Sequence, residues 1–205
     1  MHCLALFYSR ILYAIAICVA FSLVSVAQPR PERAVAPLLK TIRVQSAPYN
    51  RSCPYYNYGD SISSEPCLVG CVATAIEQLL SYYRYPDALL DSIPGWETEN
   101  YSLVTVPSGS KIDWDDVADL SLWCGMIVQM KYSPSASASG MWKAEEPLKR
   151  VFGYGTVKIV DRSLYSFDAW HRILQNELLS GRPVAYVGYS NMMIGHAFNI
   201  DGMDE

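Results

Sequence analysis

The sequence predicts an α+β chain, with helices in its first half and antiparallel strands in its second. Three observations carry that expectation. Val72, Ala75, Ile76, Leu79, Leu80 and Tyr83 recur at helical spacing. After Gly181-Arg182-Pro183 the chain turns β-branched and aromatic, first as Val184-Ala185-Tyr186-Val187-Gly188-Tyr189 and then as His196-Ala197-Phe198-Asn199-Ile200. The 205 residues are 51% apolar and 18% charged, enough for one domain with a sizeable core. Helices segregated from strands in this way give α+β rather than alternating α/β.

The first segment stands apart. Met1 to Arg10 supplies positive charge, Ile11 to Val26 is almost unbroken apolar sequence, and Ser25-Val26-Ala27 places small residues before Gln28. This is the pattern of a secretory signal cleaved after Ala27. The stretch is short against the roughly 20 apolar residues of a membrane span; left uncleaved, it would act as an N-terminal anchor. Residues 1–27 are therefore read as signal peptide, 28–40 as a short extended leader rich in proline, and 41–205 as the domain.

From Thr41 to Pro66 turn formers dominate, and a long ordered loop is expected. The helix over Cys71 to about Arg84 is framed by Gly70 at its start and Pro86 beyond its end. A second helix is expected over Trp114 to Met130, with Asp113 as N-cap and Asp115 and Asp116 in the first turn. A Ser-, Ala-, Pro- and Gly-rich loop follows over Tyr132 to Gly140. Helix returns over Lys143 to Phe152 and over Phe167 to Leu179, and the two strands then form a hairpin with His196 on the second.

A net charge of −4 and the absence of any basic run exclude nucleic acid as a partner, and no membrane partner is expected once the signal is removed. Cys3 and Cys18 leave with the signal, so the exported chain keeps Cys53, Cys67, Cys71 and Cys124 in an oxidising compartment. A Cys53–Cys67 bridge across the Tyr-rich loop is weakly favoured, and three buried or half-buried thiols explain the pattern equally well. These spacings give no CxxC pair, so no metal is expected.

Cys71 and His196 are the candidate reactive pair. A thiol is nucleophilic as thiolate, and a helix N-terminus stabilises that anion through unpaired N–H groups and the macrodipole. A cysteine beside Val, Ala and Ile is, taken alone, more often a small buried hydrophobe, and a histidine in an apolar strand is equally a core residue. Gln45 is the third candidate, since its amide and the Cys71 backbone N–H would offer two donors to a developing oxyanion. A lone loop glutamine is otherwise a surface residue.

The order of motifs adds to this. Val44-Gln45-Ser46-Ala47-Pro48-Tyr49-Asn50, Cys53-Pro54, Gly70-Cys71-Val72-Ala73-Thr74-Ala75 with Gln78, and Tyr82-Tyr83-Arg84-Tyr85-Pro86 follow one another. Ile112-Asp113-Trp114, Met130-Lys131-Tyr132, Phe152-Gly153-Tyr154, Gly181-Arg182-Pro183-Val184 and Gly195-His196-Ala197-Phe198 come after them. From about Leu39 to Glu205 the chain thereby resembles the streptopain family of secreted bacterial cysteine peptidases, peptidase family C10.

The resemblance implies a papain-like fold whose helical half carries Cys71 as nucleophile and whose antiparallel β half carries His196 as base and later acid. Gln45 stands at the family's oxyanion-hole glutamine. It further implies an endopeptidase acting on proteins or peptides, with apolar side chains preferred beside the cleavage position and a proteinaceous inhibitor as a further partner. No cofactor is implied, and the location would be secreted, periplasmic or at the cell surface.

Two departures accompany it. The family continues past the histidine strand to an Asn-Trp-Gly-Trp segment, whereas this chain stops at Asp204-Glu205; the domain is expected to be incomplete there, leaving the histidine strand as a sheet edge. Asn199 and Asp201, at odd spacing from His196, are expected on the opposite face. A short leader also stands where the family has a folded pro-domain. Both departures fit an alternative reading, a catalytically silent homologue that binds peptides or inhibitors.

Overall fold

A computed structural model of the chain describes residues 3–8, 34–190 and 195–204. In chain order its elements are β1 (Cys3–Tyr8), β2 (Tyr55–Asn57), β3 (Ile62–Pro66), α1 (Cys71–Tyr83), β4 (Trp96–Glu97), β5 (Ser102–Leu103), α2 (Ala118–Ile127), α3 (Glu145–Arg150), β6 (Thr156–Asp161), α4 (Phe167–Leu179), β7 (Val184–Tyr189) and β8 (Gly195–Ile200). Single 3₁₀ turns lie at Met141–Lys143 and Arg162–Leu164.

The periodic stripe of α1 does what its spacing requires. Ile76, Leu79 and Leu80 are fully buried, each contributing about 1.5–3 kcal/mol by leaving water. The helix stops one residue short of the expected end because Arg84 turns left-handed, φ 46°, and its N–H closes on the Leu80 carbonyl at 2.8 Å. Cys124, Leu120 and Val128 on and beside α2, with Leu148, Val151 and Phe152 beyond, complete one core around α1.

The second helix is shorter than its expected span of 114–130. Asp113 does not cap α2; its carboxylate accepts from the Asp115 and Asp116 amides at 2.9 and 3.0 Å, so the first residues form a separate turn. At the far end Gln129 adopts φ 52°, and Met130 N–H reaches back to the Gly125 carbonyl at 3.0 Å, which ends the helix early. The helix expected at Lys143 begins with the 3₁₀ turn and then runs as α3. Helix α4 has its expected limits, with Ser166 Oγ accepting from Ala169 N–H at 3.2 Å as N-cap.

The sheet has the order β6-β1-β7-β8, antiparallel throughout. The expected hairpin is there, pairing Val184 with Ile200 and Gly188 with His196, and β8 is the edge strand. Strand β6 was not among the expected elements, although Thr156-Val157-Lys158-Ile159-Val160 has the β-branched, alternating character of one. Strand β1 departs from the reading of the first segment as lying outside the fold. In the uncut chain Cys3–Tyr8 pairs six residues with β6 and three with β7, satisfying two strand edges that would otherwise face each other unpaired. The apolar stretch 11–26 and the Ala27 cleavage position lie outside the described residues.

The expected loop 41–66 contains the β2–β3 hairpin. The last residues of the leader are also tied down: Val35 bridges to Met203, and Leu38 N–H donates to the Asp201 carbonyl at 2.9 Å. Among the described residues no helix is long and apolar enough to cross a membrane.

Candidate active site

Helix α1 begins at Cys71 because Gly70 turns the chain with φ 87°, a conformation that disfavours any side chain. Space enforces the same choice. A Cβ on Gly70 would lie 2.7 Å from Met130 Cε and 3.2 Å from Ser137 Cβ. The first turn of α1 carries no acidic residue and no side-chain cap, so no neighbouring carboxylate competes with an anion at its amides.

Among the described residues Cys53, Cys67, Cys71 and Cys124 are all free, so the weakly favoured Cys53–Cys67 bridge is absent and the thiol alternative holds. Cys53 and Cys67 flank the β2–β3 hairpin in sequence and lie in the core. Burial, with Cys67 nearby, pushes the Cys53 thiol up to about 12, and burial pushes Cys67 up to about 11. Cys124 is likewise pushed well up by burial. These three are inert thiols at neutral pH. Cys71 is half-buried and opens onto a cleft.

That cleft, of about 520 Å³, is lined by Gln45, Cys71 and His196, together with Arg43, Leu68 and Asn199. Residues from three distant stretches of sequence thus meet at one opening. His196 is solvent-exposed on β8, with its ring 6.4 Å from that of Phe198 and tilted by 24°. Its cross-strand partner is Gly188, which has no side chain to crowd the imidazole. Gln45 is half-buried, and its carbonyl accepts from Val69 N–H at 2.9 Å, which fixes the loop two residues ahead of Cys71.

Strand β8 reaches α1 through its other face. Ala197 is buried there, and Asn199 Nδ2 donates to the Ala75 carbonyl and to Gln78 Oε1, both at 3.2 Å. Asn199 lies on the face away from the imidazole and docks the histidine strand on the cysteine helix. Gln78 Nε2 also donates to the Thr41 carbonyl, so one α1 side chain holds both flanks of the cleft. Sequence reasoning assigned no role to Asn199; a polar residue in an otherwise apolar strand was its signal. Among the described residues no group of three His, Cys, Asp or Glu side chains lies close enough to hold a metal ion.

Streptopain of Streptococcus pyogenes is 28% identical over 188 residues, covering 78% of this chain and 47% of its own length. The thiol protease/hemagglutinin PrtT of Porphyromonas gingivalis is 27% identical over 192 residues, covering 83% of this chain and 22% of its own length. The chain thus spans about half or less of the curated relatives it matches. Among solved structures, the active wild-type interpain A cysteine protease of Prevotella intermedia superposes with a TM-score of 0.73 at 28% identity, covering 87% of this chain and 82% of the other. A prointerpain A fragment carrying a Cys-to-Ala mutation gives 0.72, also at 28% identity, over 88% of this chain and 62% of the other. These likenesses bear out the papain-like α+β expectation. The model of the Peptidase C10 family matches residues 44–205, and the chain belongs to that family of cysteine peptidases.

Proposed function

We propose that this chain is a secreted cysteine endopeptidase in which Cys71 is the nucleophile, His196 the general base and acid, and Gln45 an oxyanion-hole donor. One observation carries the reading: these three residues, chosen for their chemistry, line a single cleft. The Cys71 thiolate attacks the scissile carbonyl carbon, and the resulting oxyanion takes hydrogen bonds from the Gln45 amide and the Cys71 N–H. Collapse of that intermediate breaks the C–N bond while imidazolium His196 gives its proton to the departing amine. His196 then removes a proton from water, which attacks the acyl-enzyme carbonyl, and the thiolate leaves as the acid product forms.

Substrates in this reading are proteins or peptides with apolar side chains beside the cleaved bond, and a proteinaceous inhibitor would occupy the same cleft. Residues 1–27 would direct export and be removed in the course of it. The test is mass spectrometry after treatment with an epoxide inhibitor of papain-like peptidases, beside a Cys71→Ala control and peptide cleavage assays. Stoichiometric labelling confined to Cys71, with cleavage lost in Cys71→Ala, is expected. A folded chain that stays unlabelled and uncleaving overturns the reading in favour of a silent homologue.

A further inference from the structure

The cysteine helix contains a buried acid that the proposed chemistry does not use. Glu77, six residues into α1 from Cys71, is 1% exposed. A carboxylate in such a place is costly unless paired and hydrogen-bonded. One oxygen accepts from Ser81 Oγ at 2.6 Å. The other lies 3.4 Å from Arg43 Nε, an ionic contact with poor hydrogen-bond alignment, since Nε has no well-directed acceptor. Burial raises the Glu77 carboxyl, while Ser81 and Arg43 draw it back down. The pairing costs a helix its apolar register, so its partner matters.

Arg43 belongs to the loop that carries Gln45. Its side chain is 14% exposed, its Nη1 donates to Tyr49 Oη at 3.2 Å, and its guanidinium carbon lies 4.9 Å from the Tyr49 ring centroid. Arg43 and Tyr49 therefore close the loop from both sides of Gln45, and among the described residues the charge that Arg43 meets belongs to the cysteine helix. The next helical residue, Gln78, holds the Thr41 carbonyl of the same segment. Two adjacent α1 side chains thus fix the strip from which Gln45 reaches the cleft.

We propose that Arg43 and Glu77 form a positioning pair that sets the Gln45 amide relative to Cys71, acting on oxyanion stabilisation rather than on the thiolate. This rests on the peptidase reading above. The pair touches no reacting atom. Its effect is confined to steps that develop an oxyanion, so peptide hydrolysis depends on it and simple alkylation of the thiol does not.

The experiment compares the wild-type chain with Glu77→Gln, Arg43→Met, Gln45→Ala and the double variant Glu77→Gln/Gln45→Ala. Each is measured for kcat and KM on a peptide amide and for the rate of Cys71 alkylation by iodoacetamide, which forms no oxyanion. Glu77→Gln keeps the side-chain volume and a partner for Ser81; should it fail to fold, Arg43→Met, altered at a partly exposed position, answers the same question. Losing one oxyanion donor costs about 10²–10³ in kcat, so a displaced donor is expected to cost about 10-fold or more with KM nearly unchanged. Alkylation should keep its wild-type rate, and the double variant should be no slower than Gln45→Ala alone. Wild-type kcat in a folded Glu77→Gln or Arg43→Met overturns the proposal, as do parallel loss of alkylation or full additivity with Gln45→Ala. A wild-type chain that alkylates but cleaves no peptide overturns the peptidase reading itself, and the proposal with it.

Discussion

On α1 the residues Ile76, Leu79 and Leu80 are sealed on every side, whereas on β8 only Ala197 is buried and its neighbours His196 and Phe198 face solvent. Cys71 is thus mounted on a closely packed helix and His196 on a sheet edge. On the α4 side of the sheet, Trp170 and Val184 form a separate, smaller buried cluster among the described residues. The difference teaches that the cleft has one fixed wall and one docked wall. Docking depends on a few contacts, chiefly Ala197 and the Asn199 amide, while the cysteine wall depends on a whole core.

The sharpest way to separate the two walls is to remove β1. A chain beginning at Gln28, the product of the proposed signal cleavage, lacks the strand that pairs with all six residues of β6. Amide protection over Thr156–Asp161 should fall to the level of fraying segments in hydrogen exchange, while α1 keeps its protection. Equal protection of β6 in both chains would mean that another segment takes the place of β1. Next in size is Leu79→Ala. It should cost about 2–5 kcal/mol by cavity formation, read as a shifted urea midpoint. A loss below about 1 kcal/mol would deny the cysteine wall its special packing.

Asn199→Ala should cost less, about 1 kcal/mol for the lost hydrogen bonds. Its signature is selective: faster exchange over Gly195–Ile200 and slower Cys71-dependent cleavage, with α1 unchanged. Loss of protection in both elements together would show that the walls are one cooperative unit after all.

The difference between the walls also tracks what could be read beforehand. Helix α1 was legible because burial on one face imposes a period, and Cys71, His196 and Gln45 could be singled out as candidates, which share one cleft, because each has a distinctive chemistry in an ordered set of motifs. Strand β1 was not, since its apolar, positively flanked sequence carries the pattern of a targeting signal and nothing local reports the open strand edges it fills. The start of α2 was misplaced because Asp113 is as good a turn former as an N-cap, and only the tertiary pairing of Asp115 and Asp116 with Arg84 and Arg51 decides between them. Glu77 lies within a helix whose apolar stripe is otherwise unbroken, and its partner is in a loop far off in sequence. A pair of that kind becomes visible only when the fold brings its members together.

The smallest expected effect, and the finest test of the contrast, is the pH dependence set by two carboxyls in opposite surroundings. Asp91, on the surface, is lowered first by the Arg150 hydrogen bond and then by the Ser92 amide. Glu77 is raised, because burial outweighs the opposing pulls of Ser81 and Arg43, with the Cys124 thiol of α2 also facing it. The signs are opposite. A lowered acid contributes stability above its unfolded value that is lost as pH falls through the folded one. A raised acid holds its proton in the native state after the unfolded chain has released it, so its contribution is fully present below the unfolded value, about 4.3 for Glu, and declines as pH rises through the folded one. Wild-type protein should therefore lose stability relative to Glu77→Gln as pH climbs from about 4 upward, measured as paired urea midpoints. The opposite slope would mean that Arg43 attracts the carboxylate more strongly than burial repels it. In that case the fixed wall would be held by charge as well as by packing, and the line between the two halves of the cleft would have to be redrawn through Arg43.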